Sequence, residues 1–138
     1  MTVIEQFFAA YRAGDMSGVE SLVTEDASFV AVREDSDSRM PIYGTYAGRD
    51  GMKLFLQRLS DAFDTHSFVI EDVLETMTIG FASGYFRHEV RETGKLFESL
   101  WALRAKLEDG KIVHYLFFED TARLEAAFNI STAEPVAC

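Results

Sequence analysis

The stretch SGYFRHEVRETGKLFESLWALRAKLEDGKIVHYLFFED, residues 83–120, decides the fold of this 138-residue chain. In residues 97–107 large apolar side chains alternate with polar ones, which is the two-residue period of a strand that buries one face. The segments TGK at 93–95 and EDGK at 108–111 contain residues that tolerate positive φ, so each can close a hairpin. The stretch therefore predicts an antiparallel meander of three strands.

The last strand of the meander, residues 111–119, is apolar at both parities, so we expect it to be covered on both sides. A monomer would leave Ile112, Leu116 and Phe118 on the wet face of the sheet. Exposed apolar patches of this kind commonly mark an interface. We therefore expect a homodimer that forms through the outer sheet face.

The segments before the meander predict three helices and two further strands. A capping box at residues 2–5 opens a first helix that ends at Gly14, and Asp15 caps a second, shorter helix. A strand at 27–33, an extended segment at 41–48, a third helix from 49–50 and a long strand at 66–78 follow. A final helical turn or two comes after Asp120. This order predicts an α+β fold with helices on one face of a curved antiparallel sheet.

The composition indicates a packed chain in a reducing compartment. Its 48% hydrophobic content, with 12 Phe and 2 Pro, favours a globular core over disorder. A net charge of −10 disfavours nucleic acid and anionic membranes as partners and admits neutral or cationic ligands more easily. Cys138 cannot form an internal disulfide, and the first residues lack the basic region of a signal peptide, so we expect a cytoplasmic protein.

Four pieces of the sequence resemble the nuclear transport factor 2-like superfamily, in the branch of SnoaL-like polyketide cyclases and ketosteroid isomerase-related proteins. They are FFAAYRAGDMSGVESLVTEDASF at 7–29, YGTYAGRDGMKLFL at 43–56, RETGK at 91–95 and DGKIVHYLFFEDT at 109–121. The resemblance implies a cone-shaped, cystatin-like fold, in which three helices from the N-terminal half close a curved antiparallel sheet around a cavity. It also implies one SnoaL-like domain over residues 1–128, followed by a polar tail over 129–138.

The catalytic acids that the resemblance would supply are missing from this chain. Phe7, Ala31 and Leu103 stand where related ketosteroid isomerases carry a tyrosine, an aspartate base and a protonated aspartate. Phe117 stands where related cyclases and epoxide hydrolases carry an acid. A steroid isomerase of the usual mechanism is therefore not expected, and Asp120 is interpreted as a helix cap.

His88 and Glu119 are the candidate catalytic residues. His88 shares its parity with Phe86 and Val90, which predicts that it points inward, where desolvation would lower its pKa. Glu119 follows Tyr115 and Phe117 on one face and would orient His88 or act as a second acid. The alternative is that His88 is a neutral core histidine that makes one hydrogen bond.

An aromatic wall is expected to bind the body of a substrate, although the same side chains could simply fill a core. Arg33 could hold an anionic group at the cavity mouth or lie in solvent. The candidate substrate-binding residues are Trp101, Tyr115, Phe117, Leu103, Phe86, Ala31 and Phe7.

Two functions remain open on these grounds. The first is a protein that binds an apolar or cyclic small molecule and acts as a cofactor-independent isomerase or cyclase, by proton transfer on a cyclic or polyketide-like carbonyl compound. The alternative is a non-catalytic dimeric ligand-binding or association module with a degenerate active site. No cofactor is expected, and the spacing of the three histidines suggests no metal site.

Overall fold

The computed structural model describes residues 1–130, which form four helices and one six-stranded sheet. The strands are ordered β2-β1-β6-β5-β4-β3 across the sheet. The elements follow the chain as α1 (Val3–Arg12), α2 (Met16–Ser21), β1 (Val23–Ala31), β2 (Gly44–Ala47), α3 (Gly48–Ala62), β3 (Phe63–Glu75), β4 (Ile79–Val90), β5 (Leu96–Glu108), β6 (Lys111–Glu119) and α4 (Thr121–Ala127).

The predicted meander is confirmed as β4, β5 and β6. Adjacent strands pair antiparallel, and side chains along β5 alternate strictly between buried and exposed or half-buried. Gly94 has φ 74°, while Asp109 and Gly110 at the second turn have φ 51° and 74°. The turn residues therefore adopt the left-handed backbone that their identity indicates.

One strand pair departs from the predicted antiparallel sheet, because β1 and β6 pair parallel. Phe29 lies beside Tyr115 and Ala31 beside Phe117. The extended segment before α3 also contributes a short strand, β2, which pairs antiparallel with β1. The parallel pair places β6 in the interior of the sheet, which explains why its two faces are both apolar.

The bounds of β1 and of the long strand β3 differ from the prediction. The second helix ends at Ser21, and β1 begins at Val23 and ends at Ala31 because Val32 takes a φ of 67°. The long strand, predicted at 66–78, runs from Phe63 to Glu75, and register shifts after Thr65 and after Ile70 break its alternation. These bulges hide the two-residue period on which the prediction relied.

The helix caps are as predicted. Thr2 and Glu5 form a complete capping box on α1, and the Asp15 side chain accepts a hydrogen bond from the Gly18 backbone at 2.9 Å. Asp120 accepts one from the Arg123 backbone at 3.0 Å, which makes it the cap of α4. Asp120 therefore has a structural role as the N-cap of α4, as predicted.

Helix α4 ends in a Schellman motif that extends the packed structure to Ile130. Asn129 has φ 61°, and the Ile130 amide donates to the Glu125 carbonyl at 2.8 Å while the Ile130 side chain packs on the core. The structure thus describes packing two residues beyond the predicted boundary at 128. The rest of the expected tail, 131–138 with Cys138, lies outside the described residues.

Gly84 lets β3 and β4 approach closely on the inner face. A Cβ placed there would lie 1.8 Å from the Val69 carbonyl oxygen and 3.0 Å from the Trp101 ring. No other residue fits this position without moving β3. The close approach lies beside a register shift in β3, where the sheet bends around the cavity.

The outer face of the sheet carries several large apolar side chains in solvent. Leu100 is 75% exposed, and Phe81, Tyr85 and Phe118 are each close to half exposed. Ile112 was predicted for this face but is fully buried, because the register shift after Lys106 turns it inward opposite Leu107. Within residues 1–130, no helix is long and apolar enough to cross a lipid bilayer.

Candidate functional site

A cavity of about 340 Å³ opens on the concave side of the sheet, beneath α1 and α3. Both helices and the strands β1, β3, β4 and β6 contribute to its wall. Its lining residues are Phe7, Phe8, Tyr11, Arg12, Ala31, Val32, Ile42, Phe55, Leu56, Leu59, Ser60, Phe63, Thr65, Phe68, His88, Arg91, Tyr115, Phe117 and Glu119. This volume lies within the range of pockets that hold small molecules.

The structure divides the candidate site residues into two groups. Lining the cavity are Phe7, Ala31, His88, Tyr115, Phe117 and Glu119. Buried behind the lining are Phe86, Trp101 and Leu103, which pack in the core. Alternation along a strand identified the inner face, but it did not tell which inner side chains would reach the cavity surface.

Trp101 supports the cavity wall from behind. Its ring stacks on Phe117 at 5.4 Å and on Phe68 at 4.9 Å, both at an interplanar angle of 17°. Phe117 and Phe68 themselves line the cavity. The indole nitrogen has no hydrogen-bond partner among the described residues. Trp101 therefore fixes the orientation of two lining rings and does not itself contact the open space.

A second aromatic group closes the wall beneath the helices. Tyr115 stacks on Phe29 at 4.8 Å and contacts Phe7 at 5.6 Å and Phe55 at 5.8 Å. Burial raises the pKa of the Tyr115 phenol, so this hydroxyl stays neutral and can donate a hydrogen bond. The wall is accordingly flat and apolar, with one polar tip.

Glu119 lines the cavity at the end of β6 and lacks the partners that a buried carboxylate normally has. Within residues 1–130, no side chain or backbone group hydrogen-bonds or ion-pairs with it. Burial alone raises the pKa of its carboxyl to about 8. Because Glu119 is one of the lining residues, a carboxyl that is mostly protonated at neutral pH is presented to a ligand in the cavity.

His88 lies in an aromatic sandwich on β4. Its ring stacks on Phe86 at 4.1 Å and on Phe63 at 4.7 Å, and its Nδ1 lies 2.9 Å from the Thr65 hydroxyl. Burial, and secondarily the charge of His66, lowers the pKa of His88 to about 4. The imidazole is therefore neutral at pH 7 and already has one hydrogen-bond partner.

The two candidate catalytic residues lie in different parts of the cavity. His88 pairs with Phe97 across β5, whereas Glu119 pairs with Trp101. Four residues of β5 separate these positions, about 13 Å at the rise of an antiparallel strand. No hydrogen bond joins the two side chains, and the partner of His88 is Thr65. The pair therefore does not form a contacting dyad.

Several polar lining residues were not anticipated from the sequence. Arg12, Ser60, Thr65 and Arg91 all border the cavity, while Arg33 lies over the Tyr43 ring and is not part of the lining. Arg12 ends the apolar face of α1, and Arg91 follows β4 directly. Both positions were visible in the sequence, but the curvature that aims them at one cavity was not.

Only one cluster in the described part of the chain offers three candidate metal ligands. Ligand atoms of Asp64, His66 and Glu89 lie within 4.8 Å of one another. Asp64 and His66 are exposed, and none of the three lines the cavity. The cluster is therefore separate from the site described above.

Three solved structures share this fold. An NTF2-like protein from Burkholderia xenovorans LB400 superposes with a TM-score of 0.81 at 22% identity, covering 92% of this chain and 93% of that chain. TerC, co-crystallized with polyporic acid, gives 0.77 at 18%, covering 92% and 95%. IdmH, a candidate polyketide cyclase from Streptomyces antibioticus, gives 0.71 at 20%, covering 93% and 96%.

No match was found among curated proteins. The SnoaL-like domain model matches residues 4–115, which is most of the chain. Likeness at these low identities establishes the fold and leaves the activity open. The chain therefore belongs to the SnoaL-like domain family, with the nuclear transport factor 2-like fold.

Proposed function

We propose that this protein binds a flat, apolar cyclic compound in its cavity and catalyses a cofactor-independent proton transfer next to a carbonyl group. The observation that carries the proposal is Glu119, a carboxyl group on the wall of an aromatic cavity that has no hydrogen-bond or ion-pair partner among residues 1–130. Leaving a buried carboxyl unpaired costs stability, and such groups concentrate at functional sites. The structural neighbours TerC and IdmH support a cyclic, polyketide-like ligand.

In this proposal Glu119 is the proton-transfer group. A carboxyl with a pKa of about 8 can donate a proton to a carbonyl oxygen at pH 7 and accept one from carbon as its carboxylate. For an enolisation the two steps balance: the α C–H proton moves to the Glu119 carboxylate as the C–H electron pair forms an enolate, and the same proton then returns to that carbon or to another carbon of the enolate. The Tyr115 hydroxyl can donate a hydrogen bond to the substrate oxygen.

His88 has a supporting role in the proposal. A histidine whose pKa is about 4 is a weaker base near neutrality than the Glu119 carboxylate. The sequence suggested His88 as the base and Glu119 as its orienting group, and the proposal reverses these two roles. Its ring carries a fixed hydrogen bond to Thr65, so we assign it to ligand orientation. In place of the expected catalytic pair, Glu119 transfers the proton and His88 orients the ligand.

The competing function is a module that binds a ligand without turning it over. The apolar residues Phe7, Ala31, Leu103 and Phe117 at the positions of family acids favour it. A filled core would have favoured it further, whereas the cavity of about 340 Å³ keeps catalysis open. The two functions differ in whether Glu119 is needed for chemistry or only lines the pocket.

Proton exchange on a neutral cyclic ketone tests the proposal. We expect the protein to accelerate deuterium incorporation at the α-carbons of 2-tetralone in D₂O, followed by NMR. Glu119→Gln should remove the acceleration and keep ketone binding, which calorimetry measures. Glu98→Gln, on the outer face of β5, is the matched control and should behave as wild type.

Binding without accelerated exchange would overturn catalysis for this ketone class and favour the binding module. Ala31→Phe places a ring in the cavity and should abolish binding. Equal binding by Ala31→Phe and wild type would show that the ketone does not use this cavity.

We further propose that two copies associate through the outer face of the sheet. Leu100 and Phe118 lie exposed on neighbouring strands, with Ala102 directly opposite Phe118 in the ladder. Apolar area in the middle of a sheet face is costly to leave in water. The expected interface is centred on β5 and β6.

A further inference from the structure

We infer that Arg12 and Arg91 bind a carboxylate of the ligand at the cavity end opposite Glu119, so that the substrate class is an aromatic or polycyclic carboxylic acid. This inference rests on the proposed binding function and specifies its ligand. Both residues are exposed and border the cavity that Glu119 lines. The net charge of −10 favours neutral ligands, but the charges beside the binding site decide what binds there.

Neither arginine pairs with a carboxylate of the described residues. Among residues 1–130, no Asp or Glu oxygen lies within 4.0 Å of either guanidinium, although the chain contains 23 acidic residues. Other arginines of the described chain do have such partners, for example Arg87 with Glu98 at 3.3 Å and Arg49 with Glu25 at 3.7 Å. The two cations at the cavity are therefore available to an anion from outside.

Backbone carbonyls hold both guanidinium groups while leaving donors free. Nη1 of Arg12 donates to the Phe68 carbonyl at 3.2 Å, and Nε of Arg91 donates to the Ser60 carbonyl at 3.1 Å. Each guanidinium has five N–H donors, so most remain for a ligand. A planar fork fixed in this way suits a carboxylate, which can accept two parallel hydrogen bonds.

Hydroxyl groups lie near the two arginines. The Tyr11 hydroxyl and Ser60 Oγ lie 3.4 Å apart. The Thr65 hydroxyl is the hydrogen-bond partner of His88 on β4, and Arg91 follows the end of that strand. All of these residues line the cavity. Hydrogen bonds join Tyr11 to Ser60, Ser60 to Arg91 and Thr65 to His88, and four residues of β5 separate the positions of His88 and Glu119. A ligand of matching form has an anionic head, a flat apolar body and its reacting carbonyl group at the far end.

A pair of probes that differ only in charge tests the inference. At pH 7, 2-naphthoic acid is an anion and methyl 2-naphthoate is neutral, and calorimetry gives both dissociation constants. We expect the acid to bind on the order of tenfold more tightly than the ester. Arg12→Gln with Arg91→Gln should reduce this acid-to-ester ratio to about one. Arg87→Gln, which removes one positive charge from the outer face, should preserve it.

The ratio of acid affinity to ester affinity distinguishes a ligand-binding role of the two arginines from a purely structural role. Arg12 also lies in the last turn of α1, where a cation stabilises the helix dipole, and a loss of folded protein would weaken both probes equally. Arg12→Lys with Arg91→Lys should restore part of the preference, because the charge returns without the fork.

Equal affinity for acid and ester in the wild type, or a ratio unchanged by the double glutamine variant, would overturn the carboxylate assignment while leaving cavity binding intact. Failure of both probes, together with failure of 2-tetralone, would overturn the binding function itself and this inference with it.

Discussion

The Nδ1 atom of His88 lies 2.9 Å from the hydroxyl oxygen of Thr65, across the pair of strands β3 and β4. The ring is held between Phe63 and Phe86, so its nitrogen has one fixed partner in an apolar setting. Burial of the ring, and secondarily the charge of His66, lowers the pKa of His88 to about 4, so the imidazole is neutral at physiological pH.

A folded-state pKa near 4 predicts how His88 affects stability. Between pH 6.5 and 4 the unfolded chain binds a proton that folded His88 refuses, so the free energy of unfolding falls as pH falls through this window. His88→Gln should remove on the order of 2 kcal/mol of that decrease, measured by urea unfolding at several pH values. Thr65→Val, which keeps the histidine, should retain the slope. Identical slopes in wild type and His88→Gln would contradict the burial of this ring.

Glu119 should give the opposite pH dependence. Its pKa is raised from 4.5 to about 8, so the folded state retains a proton that the unfolded chain loses, and stability falls as pH rises from 4.5 to 8. Glu119→Gln should therefore gain stability relative to wild type across this window, by a few kcal/mol in order of magnitude at pH 8. Thermal melts at pH 5 and pH 8 measure the difference. A pH-independent offset between the two proteins would mean that Glu119 titrates as if in water.

Gly84→Ala should be strongly destabilising. A Cβ at this position would lie 1.8 Å from the Val69 carbonyl oxygen, so β3 must move away from β4. We expect a loss of roughly 3 kcal/mol or more in chemical denaturation. Ser83→Ala, one residue earlier on the outer face, should change stability by less than about 1 kcal/mol. A mild effect at Gly84 would mean that the strands are not pressed together at the bend.

Leu100→Asp should dissociate the proposed homodimer. Leu100 is 75% exposed in the middle of the outer face, and a carboxylate buried at an interface without a partner is costly. Sedimentation velocity at micromolar concentration should show a dimer for wild type and a monomer for the variant. Leu74→Asp, at an equally exposed leucine on the edge strand β3, should remain dimeric. A monomeric wild type would refute the association.

The sequence was most informative where structure depends on neighbouring residues. Gly94, Gly110 and the alternation along β5 give both hairpins, and Asp15 and Asp120 give their helix caps, because each depends on local backbone geometry. The parallel pairing of β1 with β6 depends on segments far apart in the chain, and no local period encodes it. The order of strands across the sheet therefore needed the structure.

The candidate site was predicted in part for the same reason. Parity identified the inward direction of His88 and Glu119, but the register that separates them depends on three strands together. Trp101 was on the correct face yet lies behind Phe117, because strand curvature decides which side chains reach the cavity. The cavity arginines were missed because an isolated Arg at a helix or strand end is usually solvated.

The parallel pairing of β1 with β6 also sets the order in which a growing chain can complete its structure. On the ribosome, Phe7 and Phe29 are synthesised before Tyr115, the residue of β6 whose ring both of them contact in the folded protein. Until β6 emerges, the aromatic side chains of α1 and β1 are not covered by Tyr115. Exposed apolar surfaces of this kind recruit chaperones or aggregate. Ribosome-stalled chains shorter than β6 should therefore be protease-sensitive. Protection from proteolysis should appear only when β6, the strand that carries Glu119, leaves the exit tunnel. Addition of this last wall of the cavity is therefore also the step that commits the chain to its native state.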